Sequence, residues 1–122
     1  MAVKFEQNIP IYLQIAQMIR ESVISGDLAE GEPIPSVRKF SVEQGLNPQT
    51  VLNASQLLVK DGILEKRRGL GLFVTEGAKA SLLAHEIEHY KMQQVPALIS
   101  RGKLLGLAQS EVVKLVKENY QE

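Results

Sequence analysis

Three short groups of residues combine types and spacings suited to gripping a charged polymer: Ser36-Val37-Arg38, Asn47-Pro48-Gln49-Thr50-Val51 and Arg67-Arg68-Gly69-Leu70-Gly71. What they offer is charge and hydrogen bonding, with no bond making. Guanidinium groups at Arg38, Arg67 and Arg68 suit phosphate oxygens or a guanine edge, and the amides of Gln49 and Asn53 suit N6 and N7 of adenine. Leu52 could touch a thymine methyl. Ser36 and Asn47 are good helix caps, and a helix start presents backbone amides to a phosphate. Gly69 would let the backbone approach a groove closely. Each group also has a plainer reading. Arg38 could pair with Glu43 or Glu30 on the surface, Thr50 could merely support the helix start, Asn53 could face water, and a run of charge at a turn is commonly just solvated.

A second pattern, His85-Glu86-Ile87-Glu88-His89, satisfies H-E-x-x-H. On a helix it puts two imidazoles on one face, where they could grip Zn²⁺ while Glu86 activates a water. Catalysis would need a third ligand, and the chain has no other His and no Cys. The preferred reading is two ordinary exposed or interfacial histidines, with a regulatory metal site at His85 and His89 as the alternative. There is no Gly-rich phosphate loop ahead of a helix and no Ser/His/Asp set, so neither an enzyme nor a cofactor is expected.

The elements that must position these groups follow from periodicity. Pro10 precedes Ile11, Ile15, Ile19 and Val23, with Met18 beside them, on one face of a helix that should stop near Ser25-Gly26. Asp27 to Pro35 reads as a loop, because Gly31, Pro33 and Pro35 deny it regular structure. Ser36 should open a short helix with Val37, Phe40 and Ser41 inward, ending near Gly45, and Leu46 should plug the turn. Asn47-Pro48 starts a third helix with Val51, Ala54, Leu57 and Leu58 buried; Gln49, Asn53, Gln56 and Lys60 lie opposite. Asp61-Gly62 closes it. Residues 63–67 and 72–75 read as strands joined by Arg68-Gly69-Leu70-Gly71. Beyond Gly77, Leu83, Ile87, Tyr90, Gln94 and Leu98 recur at helical spacing, with Leu82 and Val95 widening the apolar side. Pro96 should kink or split this helix, and Ser110 with Glu111 should open a last amphipathic one.

Length and charge set the limits. The chain's 122 residues allow one ordinary domain with a short appendage, and 44% apolar residues suffice for a core. Without cysteine there is no disulfide or thiolate zinc site, which suits a cytoplasmic protein. The start, Met1 to Asn8, lacks a leader's apolar core, and no stretch suggests a membrane span. Fourteen basic residues balance fourteen acidic ones, eight of each sign in residues 1–75 and six of each in 76–122. Placement must therefore carry any attraction to a polyanion. Salt confines each charge to about 8 Å, so Lys66-Arg67-Arg68 and Arg38-Lys39 act locally, while Glu21, Asp27, Glu30 and Glu32 lie elsewhere in the chain.

Four motifs in order then resemble a known family. Pro10-Ile11-Tyr12-Leu13-Gln14-Ile15, Gly31 with Ile34-Pro35-Ser36-Val37-Arg38, Asn47-Pro48-Gln49-Thr50-Val51, and Arg68-Gly69-Leu70-Gly71-Leu72-Phe73-Val74 are together similar to the GntR family of bacterial transcription regulators over residues 9–75. The short tail with Leu105-Gly106-Leu107 resembles the YtrA-type subfamily, which carries a dimerising tail in place of a large effector domain. The resemblance implies dimeric operator binding, usually repression, often of genes for ABC-type transporters. Several positions depart from the family's usual residues: Ile34 for Leu, Pro48 and Leu52 where relatives carry Arg, Leu70 in the wing, and Leu72 for Thr.

The expectation is a mostly α protein with a small β-hairpin. Residues 1–76 would form a winged helix-turn-helix DNA-binding domain, and residues 77–122 a two-helix dimerisation tail. The expected DNA contacts are Ser36, Arg38, Asn47, Gln49, Thr50, Asn53, Arg67, Arg68 and Gly69. Leu83, Ile87, Tyr90 and Leu98 are the expected dimer contacts. Partners would be a double-stranded DNA operator, a second copy of the chain and an unidentified small-molecule effector, with no membrane. The amide-rich reading face implies a half-site rich in A and T. A rival reading is a winged-helix module that docks a protein instead of a duplex, or a metal-responsive regulator using His85 and His89.

Overall fold

A computed structural model describes residue 5 and residues 7–121, and its elements run helix, helix, helix, hairpin, then helices to the end. The opening residues Met1 to Lys4 and Glu6, part of the start weighed above as a leader, lie outside the described residues. Two compact units divide the chain after Leu83.

In the first unit, α1 (Ile11–Ser25) buries Ile15, Ala16, Ile19 and Val23, a one-sided stripe at helical spacing. Ile11, expected on that stripe, is exposed in the first turn. Gly26 ends the helix at φ 92°, a left-handed conformation that costs glycine little. Helix α2 (Val37–Gln44) opens at Ser36, whose Oγ accepts the Lys39 amide at 3.1 Å. Helix α3 (Pro48–Lys60) opens at Asn47, whose Oδ1 accepts the Gln49 amide at 2.8 Å, with Pro48 at the first helical position. Val51, Ala54, Ser55 and Leu58 form its buried side and pack it against α1 and α2. Leu57, expected among them, is only half-buried. Buried Ser55 keeps its hydroxyl satisfied by donating to the Val51 carbonyl at 3.0 Å.

Strands β1 (Leu64–Arg67) and β2 (Gly71–Val74) pair antiparallel in the register Leu64 with Val74 and Arg67 with Gly71. Leu64 and Val74 close the core beneath them. The loop before α2 is more ordered than its prolines and glycine suggested. Gly31 N–H donates to the Val74 carbonyl at 2.8 Å, Ile34 N–H to Leu72 at 2.9 Å, and Val74 N–H returns to Glu32 at 3.0 Å. Pro33 bridges Phe73 at the hairpin's edge, a place where a missing donor is tolerated. This unit therefore fixes the hairpin at its root on two sides.

Helix α4 (Ala78–His89) begins in the first unit, where Ala78 and Leu82 are buried in the common core. That is why the unit runs past the compositional boundary near residue 76. In the second unit a π-turn (Tyr90–Gln94) joins α4 to α5 (Val95–Leu104). Pro96, expected to kink or split the helix, stands in the first turn of α5 directly after the π-turn, so the regular α-helix is interrupted there. Helical angles persist at His89, Gln94 and Val95, and the Val95 amide bonds five residues back to Tyr90. Widening the turn is a way to take the carbonyl that a proline ring would strike out of its path. Gly106 at φ 77° then reverses the chain into α6 (Gln109–Tyr120). Its cap is Ala108, two residues ahead of the expected Ser110, and the Ala108 amide donates to Glu111 at 3.0 Å. No helix among the described residues is long and apolar enough to cross a membrane.

Candidate nucleic-acid interface

The second helix-turn-helix element, α3, offers its polar face where the sequence placed it. Gln49 and Asn53 are exposed, Thr50 is half-buried, and Leu52 sits between them at the surface. The Gln49 amide nitrogen donates to Asn53 Oδ1 at 3.0 Å, an i,i+4 pair that aligns the two amides one turn apart. Such a pair keeps one Gln49 N–H, the Gln49 carbonyl and both Asn53 donors for an outside partner. Ser36 Oγ and Asn47 Oδ1 accept the cap bonds that orient the helix starts, while the Ser36 hydroxyl hydrogen and the Asn47 NH₂ remain as donors.

Arg38 is exposed in the first turn of α2, and among the described residues neither Glu43 nor Glu30 pairs with it. Glu43 lies 4.0 Å from Lys39, and Glu30 is occupied elsewhere. The guanidinium is thus left to solvent or a ligand.

The wing divides its cations into two kinds. Arg67 lies over the Phe73 ring at 4.1 Å and meets Glu65 at 3.1 Å, so its position is set by the hairpin itself. Arg68 is exposed at the tip with no ion-pair partner among the described residues. The turn closes through a Leu70 amide bond to the Arg67 carbonyl at 2.9 Å, with Gly69 at φ 77°. Leu70, which departs from the family's usual wing residue, projects from it as a large apolar side chain at 70% exposure.

One further residue has a role that the sequence did not show. Glu30, in the loop before α2, accepts the amides of Gly77 and Lys79 with its two carboxylate oxygens, each at 2.9 Å. Those bonds, Gly77 first, hold its pKa below the usual carboxylate value. The one available signal was the bare start of α4. Gly77-Ala78 offers no capping side chain, so the acceptor had to come from elsewhere.

His85 and His89 are exposed on α4, and no group of three or more metal-capable side chains forms among the described residues. In the second unit, Tyr90, Leu98, Leu105, Val112, Leu115 and Val116 line an open groove of about 420 Å³. Ile87, Tyr90 and Leu98 are all roughly half exposed, whereas Leu83 is partly buried in the first unit.

Three helices backed by a hairpin with Arg68 exposed at its tip make a winged helix-turn-helix, the class of head that reads duplex DNA. Residues 11–74 match the family described as bacterial regulatory proteins, gntR family. The chain is 31% identical to the HTH-type transcriptional regulator YhcF of Bacillus subtilis over 93% of both chains. It is 33% identical to the HTH-type transcriptional repressor YtrA of the same organism, over 89% of this chain and 83% of that one. Its fold also matches a GntR family transcriptional regulator from Listeria monocytogenes, with a TM-score of 0.77 and 26% identity over 93% of this chain and 98% of the other. The chain belongs to the GntR family and is of the YtrA type. It is a DNA-binding transcription regulator and not an enzyme.

Proposed function

We propose that the chain acts in the cytoplasm as a homodimeric repressor, with its two α3 helices reading an inverted repeat about one helical turn apart. The observation that carries this is the apolar surface of the second unit. From Ala84 onward Gly102 is the one buried residue among those described, while Tyr90, Leu98, Leu105, Leu115 and Val116 stay open to water. A surface of that kind suits a second copy, because an isologous contact covers the same patch on both chains. Leu98→Glu should raise the dimer dissociation constant at least tenfold in analytical ultracentrifugation.

On each head, Arg38 and the Gln49–Asn53 pair would take the major groove, and Arg68 with the Gly69 backbone would take the minor groove beside it. Ser36, Asn47 and Thr50 would set the helix starts, and Arg67 would brace the wing. The half-site should favour A and T at the positions facing Gln49 and Asn53. Fluorescence anisotropy on inverted repeats from the upstream region of its own gene tests the reading. Arg68→Ala should weaken binding and reduce the salt slope by about one. A chain that stays monomeric at working concentration and ignores every such repeat refutes the proposal.

A further inference from the structure

The tip of the wing is an apolar point on a braced frame. Arg67 and Gly71 form the last pair of the hairpin, so Arg68, Gly69 and Leu70 stand beyond the ladder. Leu70 is 70% exposed, whereas Leu72 packs against the head core and Val74 lies within it. A lone exposed leucine is ordinary on a protein surface; the setting of this one is not. Glycines flank it at φ 77° and 105°, and no atom lies within 4 Å of a Cβ built on either, so the tip is narrow and Leu70 stands clear. Lys66 and Arg68 are exposed nearby, and among the described residues neither has an ion-pair partner. Those cations suit a polyanion better than an apolar groove in another protein.

The bracing comes from three contacts. The Leu70 amide donates to the Arg67 carbonyl at 2.9 Å, Arg67 lies on the Phe73 ring at 4.1 Å, and the Ile34 amide holds β2 at the Leu72 carbonyl at 2.9 Å. A side chain presented this way can push on what it meets. Leucine has no donor or acceptor, so it cannot read a base edge by hydrogen bonding. In a minor groove about 6 Å wide, an apolar side chain can instead press between two base pairs and partly unstack them. Pyrimidine–purine steps yield to this most easily.

We propose that Leu70 is a wedge that enters the minor groove and partly unstacks a TA or CA/TG step beside the half-site, so that the wing selects sequence by deformability. The inference rests on the reading of the wing as a minor-groove contact given above.

Two measurements on the full chain test it, both with the inverted repeat from upstream of its own gene. In fluorescence anisotropy across a salt titration, Leu70→Ala should weaken binding about fivefold or more with an unchanged salt slope, since no phosphate contact is lost. Leu70→Ile should keep most of the affinity. All these variants should share the wild-type unfolding midpoint, because the side chain is exposed. In permanganate footprinting, which oxidises unstacked thymine, the wild type and Leu70→Ile should raise the reactivity of a thymine at one pyrimidine–purine step per half-site by about threefold or more, and Leu70→Ala should leave it at the level of free duplex. Unchanged affinity, a loss accompanied by a lower salt slope, or a footprint that is the same with and without the leucine overturns the proposal. If Arg68→Ala weakens binding and Leu70→Ala does not, this inference fails alone. If neither substitution alters binding to a repeat that the wild type holds, the wing reading fails with it, and a wild type that ignores every repeat refutes both.

Discussion

The head and the tail treat apolar side chains in opposite ways. In the head, Ile15, Ala16, Val23, Ala54, Leu58, Leu64 and Val74 are all essentially sealed from water. In the tail, side chains of the same kinds lie open, and α6 comes close to α5 at Gly102, which lacks a Cβ. The head carries its own buried core within one chain. Two helices with apolar flanks gain most of their stabilisation by covering those flanks. The head's stability should therefore be insensitive to concentration, and the tail's should follow it.

The largest expected effect strikes the head. Leu58→Ala should cost about 2–5 kcal/mol in denaturant unfolding, since Leu58 is 0% exposed and its surroundings cannot collapse fully. A loss that vanished at high protein concentration would break the comparison. Next comes the tail's point of closest approach. A Cβ built on Gly102 would sit 3.3 Å from Val112 Cγ2, so Gly102→Val should cost about 1–3 kcal/mol by overpacking and should weaken dimerisation in ultracentrifugation. Third, Asn47→Ala should lower head stability by about 1 kcal/mol through loss of the cap on the Gln49 amide. Asn47→Asp should restore most of it. The smallest effect is acid dependence at the junction. Glu30 has a folded pKa below its unfolded value, so its contribution is present above the unfolded value and fades as pH falls through the folded one. The protection factors of the Gly77 and Lys79 amides should fall below the usual carboxylate range in the wild type. Glu30→Gln should lack that step.

Local rules made much of the head legible. Ser36 and Asn47-Pro48 announce helix starts by chemistry that acts within three residues, and the Gly-rich turn with its strand partners follows from backbone preference alone. Relations across distance were not legible. Glu30 caps a helix start 47 residues away, and the loop at Gly31 to Ile34 bonds to β2 although its composition argued against order. Arg67 reads as a free cation until Phe73 and Glu65 are seen to hold it, which separates it from its neighbour Arg68. Pro96 was read by its usual effect on a 3.6-residue helix, and the chain met it with a wider turn. The open face of the tail was visible as periodicity, but periodicity does not distinguish a core stripe from a surface one. Leu82 joined the head core, and Leu98 stayed in water.

The π-turn also resets the phase of everything after it. A surplus residue advances the side chains of α5 by about 100° relative to an uninterrupted continuation of α4. Removing one residue from 90–94 would restore ideal winding, yet rotate Leu98 and Ile99 away from their present azimuth and press Pro96 against a carbonyl again. The irregularity thus sets the azimuth at which α5 starts, and tolerance to insertion or deletion should be lowest there.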